Sequence, residues 1–244
     1  MILVKILLLI AAVKIVGYYI ILMISRFLSR KPNIKNIFVV QTTSVCILVP
    51  MFNEEKIILC TIGNLLKIRY ENFKIILIDD GSTDETLNLV RSYYQTNEKV
   101  CILSQNNGGK ASALNRGIQY SEAEILLFID ADTIVNSDLF DKILPHFQKK
   151  EVAAVAGYLK VGNRVNALTN LQHFEYVTNQ NFTRSVFSLI NGIFTVPGAI
   201  GAFRKSLLIE MNGLSAETLT EDSDLTLKML SSGYVVENAP EAIG

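Results

Sequence analysis

Four short apolar runs alternate with stretches of helical periodicity, and that alternation leaves few folds open. The runs are residues 45–49, 74–78, 100–103 and Ile125–Ile129. Between them, Ile58, Ile62, Leu65 and Leu66 recur at helical spacing. Ser82 with Glu85 predicts a capping box opening a second helix through Leu87, Val90 and Tyr94, and 110–119 reads as a third. Continuous apolar strands separated by helices of about ten residues imply an α/β fold. Its sheet is mostly parallel with helices on both faces, and ligands collect at the carboxyl ends of the strands.

From Val152 onward the pattern is less regular. Residues 152–158 read as a strand and 166–188 as helical, while 192–203 is extended with a bend at Pro197-Gly198. Thr220 is placed to cap a last helix bearing Leu225 and Met229 and stopping at Gly233, before a short strand at 234–237.

The first residues differ in kind. Positions 2–24 are almost wholly aliphatic, broken by Lys5 and Lys14, and long enough to cross a bilayer at ~20 residues per span. Lys14 would cost ~2.5–3.5 kcal/mol at the bilayer centre unless it faces a partner helix or snorkels. Arg26, Arg30 and Lys31 follow at once, which by the positive-inside rule keeps the rest of the chain in the cytoplasm. No small-x-small cleavage site follows the run, so a cleaved signal peptide is the weaker reading. The expected organisation is one transmembrane helix at 1–25, a juxtamembrane tether at 26–43 beginning near Pro32, and an α/β domain at 44–244. In a cytoplasmic domain the sequon Asn181-Phe182-Thr183 is a chance match.

Lysine plus arginine and aspartate plus glutamate balance at 23 each, so no bulk field favours nucleic acid. Three scattered cysteines fit a reducing compartment and small core roles. With only His146 and His173, a histidine-rich metal centre is excluded.

Chemistry concentrates in five strings. Asp130-Ala131-Asp132 follows the fourth apolar run, and extended backbone would aim both carboxylates to one side with Ala131 turned away. Such a pair suits a hard cation, Mg²⁺ or Mn²⁺, carrying phosphate oxygens. A surface pair of this kind is equally a solvated turn cap, and its companions decide. Val49-Pro50-Met51-Phe52-Asn53-Glu54-Glu55 ends the first strand, with Asn53 expected to N-cap a helix. Asp79-Asp80-Gly81-Ser82-Thr83-Asp84 ends the second. Adjacent carboxylates there repel, a cost that a ligand offering hydroxyls or ring N–H groups would offset. Asn107-Gly108-Gly109-Lys110-Ala111 offers backbone N–H groups and an ammonium to phosphate at a helix start.

Together these four loops describe a nucleoside diphosphate site: Asp79 and Asp80 for base and ribose, Lys110 for diphosphate, Asp130 and Asp132 for the cation. The fifth string, Thr220-Glu221-Asp222-Ser223-Asp224, is at least an acidic first turn complementing a helix dipole. Beside a metal–diphosphate site, Asp222 also suits a general base taking a proton from an acceptor hydroxyl.

In this order the strings resemble the inverting, membrane-bound family 2 glycosyltransferases, the group of poly-N-acetylglucosamine, hyaluronan and cellulose synthases. The likeness runs from about Val45 to Glu241. It is strongest toward the bacterial poly-N-acetylglucosamine synthases through Asn53-Glu54-Glu55, Asp79-Asp80-Gly81-Ser82-Thr83-Asp84, Asn107-Gly108-Gly109-Lys110-Ala111, Gln172-His173-Phe174-Glu175-Tyr176, Pro197-Gly198-Ala199, Gly201-Ala202-Phe203-Arg204 and Thr220-Glu221-Asp222. The resemblance implies a GT-A fold, a UDP-sugar donor held by Pro50, Asn53, Glu54, Asp79, Asp80, Lys110 and Asp130, and a metal at Asp132 with Asp130. It implies Asp222 as catalytic base beside Glu221, a glycan acceptor bordered by 198–204, and support from the 166–188 helix through Glu175 and Tyr176. The implied reaction moves a sugar, N-acetylglucosamine, onto a growing polysaccharide at the cytoplasmic face of the inner or plasma membrane. Other exopolysaccharide-synthesis proteins are the implied partners.

One departure matters. The family's Gln-x-x-Arg-Trp segment should follow Pro240-Glu241, whereas these 244 residues contain no tryptophan and end at Gly244. The expectation is a C-terminally truncated GT-A domain with a formed donor pocket and no processive synthesis on its own. Two other readings remain: a non-processive transfer to a lipid phosphate, and an inactive donor-binding fragment. A dehydrogenase is disfavoured because no G-x-G-x-x-G follows the first strand.

Overall fold

A computed structural model describes residues 13, 16, 17, 19, 20, 23, 42–162, 165–176, 181–216, 218 and 220–244. The six described positions within 1–25 are helical. The remainder of the expected transmembrane helix, and the expected tether as far as 41, lie outside the described residues. Among the described residues no helix is long and apolar enough to cross a membrane.

Among the described residues seven strands form one sheet: β1 Val45–Met51, β2 Phe73–Asp79, β3 Val100–Ser104, β4 Ile125–Ile129, β5 Val152–Tyr158, β6 Ile200–Arg204 and β7 Val235–Ile243. Their order is β3-β2-β1-β4-β6-β5-β7. All strands run the same way except β6, which is antiparallel to both β4 and β5. The helices are α1 Ile58–Leu65, α2 Thr86–Tyr94, α3 Lys110–Tyr120, α4 Leu139–Ile143, α5 Ala167–Glu175, α6 Phe182–Phe187, α7 Lys205–Glu210 and α8 Glu221–Ser231.

The strands read as unbroken apolar runs because both faces of the sheet are covered. Ile47, Val49, Ile75, Leu77, Leu127 and Ile129 pack against Ile58, Ile62 and Leu65 of α1 and Phe140 of α4. Their neighbours Leu48, Ile76, Ile78, Leu126 and Phe128 pack on the other side against Leu114 and Ile118 of α3, Leu208 of α7, and Leu225 and Met229 of α8. Burial of each such side chain contributes about 1.5–3 kcal/mol, so this two-sided burial holds the strands in the centre of the domain.

Several local expectations are corrected. β1 continues through Pro50 to Met51. The Val45 N–H and Met51 carbonyl both bond toward β2, so Pro50 faces the β4 side, where pairing has already ended at Leu48. Its missing N–H therefore breaks no ladder bond. Likewise β7 extends to Ile243, with Pro240 in the irregular stretch between the Asn238 and Ile243 pairings. The Ser82–Glu85 capping box does not form. Ser82 Oγ instead accepts the Asn53 N–H at 3.0 Å, and Asp84 Oδ1 accepts the Thr86 N–H at 3.0 Å at the head of α2.

Asn53 is not an N-cap: it holds φ 56°, and α1 begins five residues later at Ile58. Thr220 occupies the N-cap position of α8 without a side-chain bond to the helix. The expected helix at 166–188 is described as α5 and α6, with 177–180 outside the described residues. α5 opens with an Asn166/Thr169 capping box, and its Leu168, Leu171 and Phe174 are exposed.

Candidate active site

The carboxyl ends of β1, β2, β3 and β4 share one edge of the sheet. Because β6 runs the other way, the turn that precedes it arrives at the same edge. There Pro50, Met51, Phe52, Glu54, Asp80, Lys110, Asp130, Ala131 and Asp132 line a cleft of about 260 Å³. Of the residues expected to bind donor or metal, Pro50, Glu54, Asp80, Lys110, Asp130 and Asp132 are thus brought together.

Asp130 and Asp132 reach the cleft by a turn rather than by extended backbone. The strand ends at Ile129, and the Thr133 N–H bonds the Asp130 carbonyl at 3.0 Å. Ala131 is 5 % exposed, and its carbonyl accepts the hydroxyl of buried Thr61 at 2.6 Å. The Asn64 side chain clamps Val135 through both N–H and C=O, at 2.8 and 3.1 Å. Polar residues on the inner side of α1 thereby fix the loop that aims the two carboxylates. Sequence reasoning missed them. Their signal was Thr61 and Asn64 standing next to apolar positions 58, 62 and 65.

Asp80 is 4 % exposed, and its charge is spent inside the protein. Oδ1 accepts from Gln105 Nε2 at 2.8 Å and the Gly108 N–H at 2.9 Å, and Oδ2 accepts the Gly109 N–H at 2.8 Å. The Gly-Gly amides expected to cradle phosphate are therefore bound to Asp80, and the role left to that loop is to present Lys110. Gly81 permits the arrangement. Its φ is +75°, and a Cβ there would stand 2.8 Å from the Asn107 nitrogen. Asp79, 1 % exposed, lies beneath the cleft, accepting from the Ser82 N–H at 3.4 Å and Ser104 Oγ at 3.3 Å. The Asn53 side chain likewise braces the first loop against the second, accepting from the Thr83 N–H at 2.8 Å.

Lys110 forms an ion pair with Asp130. Gly198 lies against it, where a Cβ would come within 3.2 Å of the ammonium. Asp222 and Glu221 begin α8, which is bonded to the same turn through Thr195–Ser223 at 2.7 Å and Val196–Thr226 at 3.0 Å. Arg204 does not border this edge. It sits at the far end of β6 opposite Ile125, its guanidinium bonded to the carbonyls of Phe147, Lys149 and Val152.

Among the described residues the cleft carries four carboxylates, Glu54, Asp80, Asp130 and Asp132, against the single ammonium of Lys110. Burial, and after it the charges of Asp132, Asp84 and Asp130, push the Glu54 carboxyl above its ordinary value. An anionic ligand would be repelled from such a surface unless a cation came with it. Among the described residues no group of three His, Cys, Asp or Glu side chains is poised to hold a metal alone. Mg²⁺ and Mn²⁺ need no such cage, since one or two carboxylates plus phosphate oxygens and water suffice. Asp130 and Asp132 fit a cation that arrives with a diphosphate. Phe52 and Gln105 are further participants that the sequence did not single out, and Ser82 takes part by bracing Asn53 and not as a cap. Phe52 gave a signal, an aromatic ring beside charged residues just past a strand end.

The comparisons with known proteins agree with this geometry. The chain is 30 % identical over 217 residues to a poly-β-1,6-N-acetyl-D-glucosamine synthase of Staphylococcus aureus, covering 88 % of this chain and 52 % of that protein. To the synthase of the same name from Staphylococcus epidermidis it is 27 % identical over 222 residues, covering 89 % and 54 %. The chain thus spans about half the length of the curated relatives it matches.

Among solved structures, the mannosyltransferase PcManGT of Pyrobaculum calidifontis, in complex with GDP-Man and Mn²⁺, superposes with a TM-score of 0.73 at 19 % identity, covering 94 % of this chain and 63 % of that one. Residues 1–349 of S. aureus TarS in complex with UDP give 0.63 at 20 % identity, covering 82 % and 60 %. At such identities the likeness establishes the fold, an α/β GT-A-like fold with a mixed, mostly parallel sheet. The model of the family described as "Glycosyl transferase family 2" matches residues 46–211, a span that holds every strand end lining the cleft, and the chain therefore belongs to glycosyl transferase family 2.

Proposed function

We propose that the chain is the donor-binding and catalytic domain of an inverting glycosyltransferase that moves N-acetylglucosamine from a UDP-sugar to a growing polysaccharide. The observation that carries this reading is the convergence of Asp130, Asp132 and Lys110 on one carboxylate-rich cleft within a family 2 fold. The choice of sugar is supported by the staphylococcal relatives named for poly-β-1,6-N-acetyl-D-glucosamine synthesis. The cytoplasmic membrane face is supported by the aliphatic run at 2–24 and the basic residues that follow it.

In this reading the exposed ring of Phe52, 45 % accessible on the cleft, offers a stacking face to the nucleobase. Lys110 leaves Asp130 to pair with the diphosphate, a charge-assisted contact stronger than its half-exposed ion pair. Asp130 and Asp132 would hold Mg²⁺ or Mn²⁺, which when bound would supply Lewis-acid stabilisation of the departing diphosphate. Asp222 takes the proton of the acceptor hydroxyl as its oxygen bonds to the anomeric carbon and the carbon–oxygen bond to UDP breaks. Attack from the side opposite the leaving group inverts the anomeric configuration. Asp222 stands in the first turn of α8, at the positive end of the helix dipole.

The test is a transfer assay across UDP-GlcNAc, UDP-Glc and UDP-GlcA with Mn²⁺ or Mg²⁺, with Asp132→Ala and Asp222→Asn as controls. The first should weaken metal-dependent donor binding, and the second should bind donor and lose transfer. A lipid-linked monosaccharide as sole product would replace polymer synthesis with single transfer. Metal-independent UDP binding would overturn the site.

A further inference from the structure

Thr226 is fully buried on α8, and one hydroxyl serves two elements. Its Oγ1 donates to the Asp222 carbonyl at 2.6 Å and accepts the Val196 N–H at 3.0 Å. Bonding back to the carbonyl four residues earlier is common for threonine in helices. The second bond is specific to this fold. Val196 is itself buried and immediately precedes Pro197-Gly198, the turn that lies against Lys110. The turn is stiff: the Ile200 N–H bonds the Pro197 carbonyl at 3.2 Å, and a Cβ on Gly201 would stand 2.7 Å from that carbonyl oxygen. A continuous path of contacts therefore runs from Lys110 through Gly198 and Val196 to Thr226 and the backbone of Asp222.

We propose that Thr226 is a positioning residue, whose bridging hydroxyl sets the Asp222 carboxylate relative to the donor and transmits occupancy of the Lys110 side of the cleft to the start of α8. The inference rests on the reading of Asp222 as base. It adds that the base is placed by the turn touching the donor-side lysine, and not by the helix alone. Thr195, whose hydroxyl meets Ser223 Oγ at 2.7 Å, is a second and more accessible tie between the same two segments.

Thr226→Val keeps the shape of the side chain and removes both bonds, while Thr226→Ser keeps the hydroxyl. Misplacing a catalytic group by a fraction of an ångström to 1 Å costs about 10–100-fold in turnover, so Thr226→Val should lose about tenfold or more in kcat with the Kd for UDP and Mn²⁺ held within about twofold. Thr226→Ser should restore kcat to within about threefold of the parent. In hydrogen exchange, UDP with Mn²⁺ should slow residues 193–198 and 220–226 together in the parent and in Thr226→Ser, but only 193–198 in Thr226→Val. Parent-like kcat in Thr226→Val, failure of Thr226→Ser to restore it, or undiminished protection of 220–226 in Thr226→Val would each overturn the proposal. If Asp222→Asn transfers at the parent rate, the base assignment falls, and the exchange measurement still decides whether Thr226 couples the two segments.

Discussion

Lys110, the first residue of α3, is ion-paired with Asp130 at the end of β4, so among the described residues the one cation lining the cleft neutralises one of its four carboxylates. Both side chains are about a third exposed, at 38 % and 32 %, which limits what the pair can add to stability to about 0.2–1 kcal/mol. Lys110→Met should therefore leave thermal unfolding almost unchanged. Titration with UDP in the presence of Mn²⁺ should show affinity reduced about 10–100-fold, the scale of a lost charge-assisted contact. A large fall in Tm with donor affinity intact would reverse this assignment.

Asp80 behaves differently because its three hydrogen bonds are internal. Asn at this position has one acceptor oxygen and presents an N–H₂ to an amide N–H it must face. Asp80→Asn should cost about 1.5–3 kcal/mol in urea unfolding and loosen the loop bearing Lys110, with donor affinity falling as a secondary effect. Equal stability of the variant would mean that the carboxylate serves the ligand and not the loop.

Phe52 is exposed, so its truncation should not disturb folding by more than about 0.5 kcal/mol. If the ring stacks on the nucleobase, Phe52→Ala should weaken UDP by about 1–3 kcal/mol, five- to 150-fold, and leave pyrophosphate binding unaltered. Parallel losses for both ligands would remove the ring from the base.

A pH dependence is expected away from the cleft. His146 Nδ1 and Glu237 Oε2 are 2.5 Å apart, and Lys149 Nζ is 3.2 Å from the other carboxylate oxygen, joining β7 to the segment before β5. Burial alone would raise the Glu237 carboxyl, but the His146 hydrogen bond and charge, with those of Lys149, bring it below its ordinary 4.5. A carboxyl depressed in the folded state adds stability above its unfolded value and loses it as pH falls through the folded one. Glu237→Gln should lower Tm near pH 7, and the gap to the parent should close as pH drops below about 4.5. A gap that persists into strong acid would show that the contribution is packing and not charge.

The parts of the fold that follow from two-sided burial were legible in the sequence. Val45, Ile75, Leu127 and their neighbours announce strands because an apolar residue is required at every position, whichever face it meets. Ile125–Ile129 was bounded to the residue. Legibility ended where a polar side chain had several possible partners. Ser82 and Glu85 have the spacing of a capping box, yet the nearby Asn53 N–H takes the serine hydroxyl. Asp80 reads as a ligand carboxylate until Gly108 and Gly109, 28 and 29 residues away, are seen to claim it. Phe203 stands in the Gly201-Ala202-Phe203-Arg204 string, but its packing against Phe128, with centroids 4.7 Å apart, follows only from the reversed direction of β6. Competition among long-range acceptors is not encoded in spacing, and it decided the misplaced caps and the Gly-Gly loop.

The lone reversed strand also sets an order of assembly. Residues 45–129 complete β3-β2-β1-β4 from pairings within one contiguous stretch, whereas β6 adds to β4 only after some 70 further residues have emerged. The β1–β4 and β4–β6 pairings span similar lengths of chain, so the direction of synthesis and not sequence separation sets the order. During synthesis the lobe bearing Asp80, Lys110, Asp130 and Asp132 should therefore acquire protection before the 200–204 ladder, a sequence that pulse-labelled exchange on stalled nascent chains would resolve. The lobe proposed to recognise nucleotide would then be a template on which the rest of the sheet is laid down.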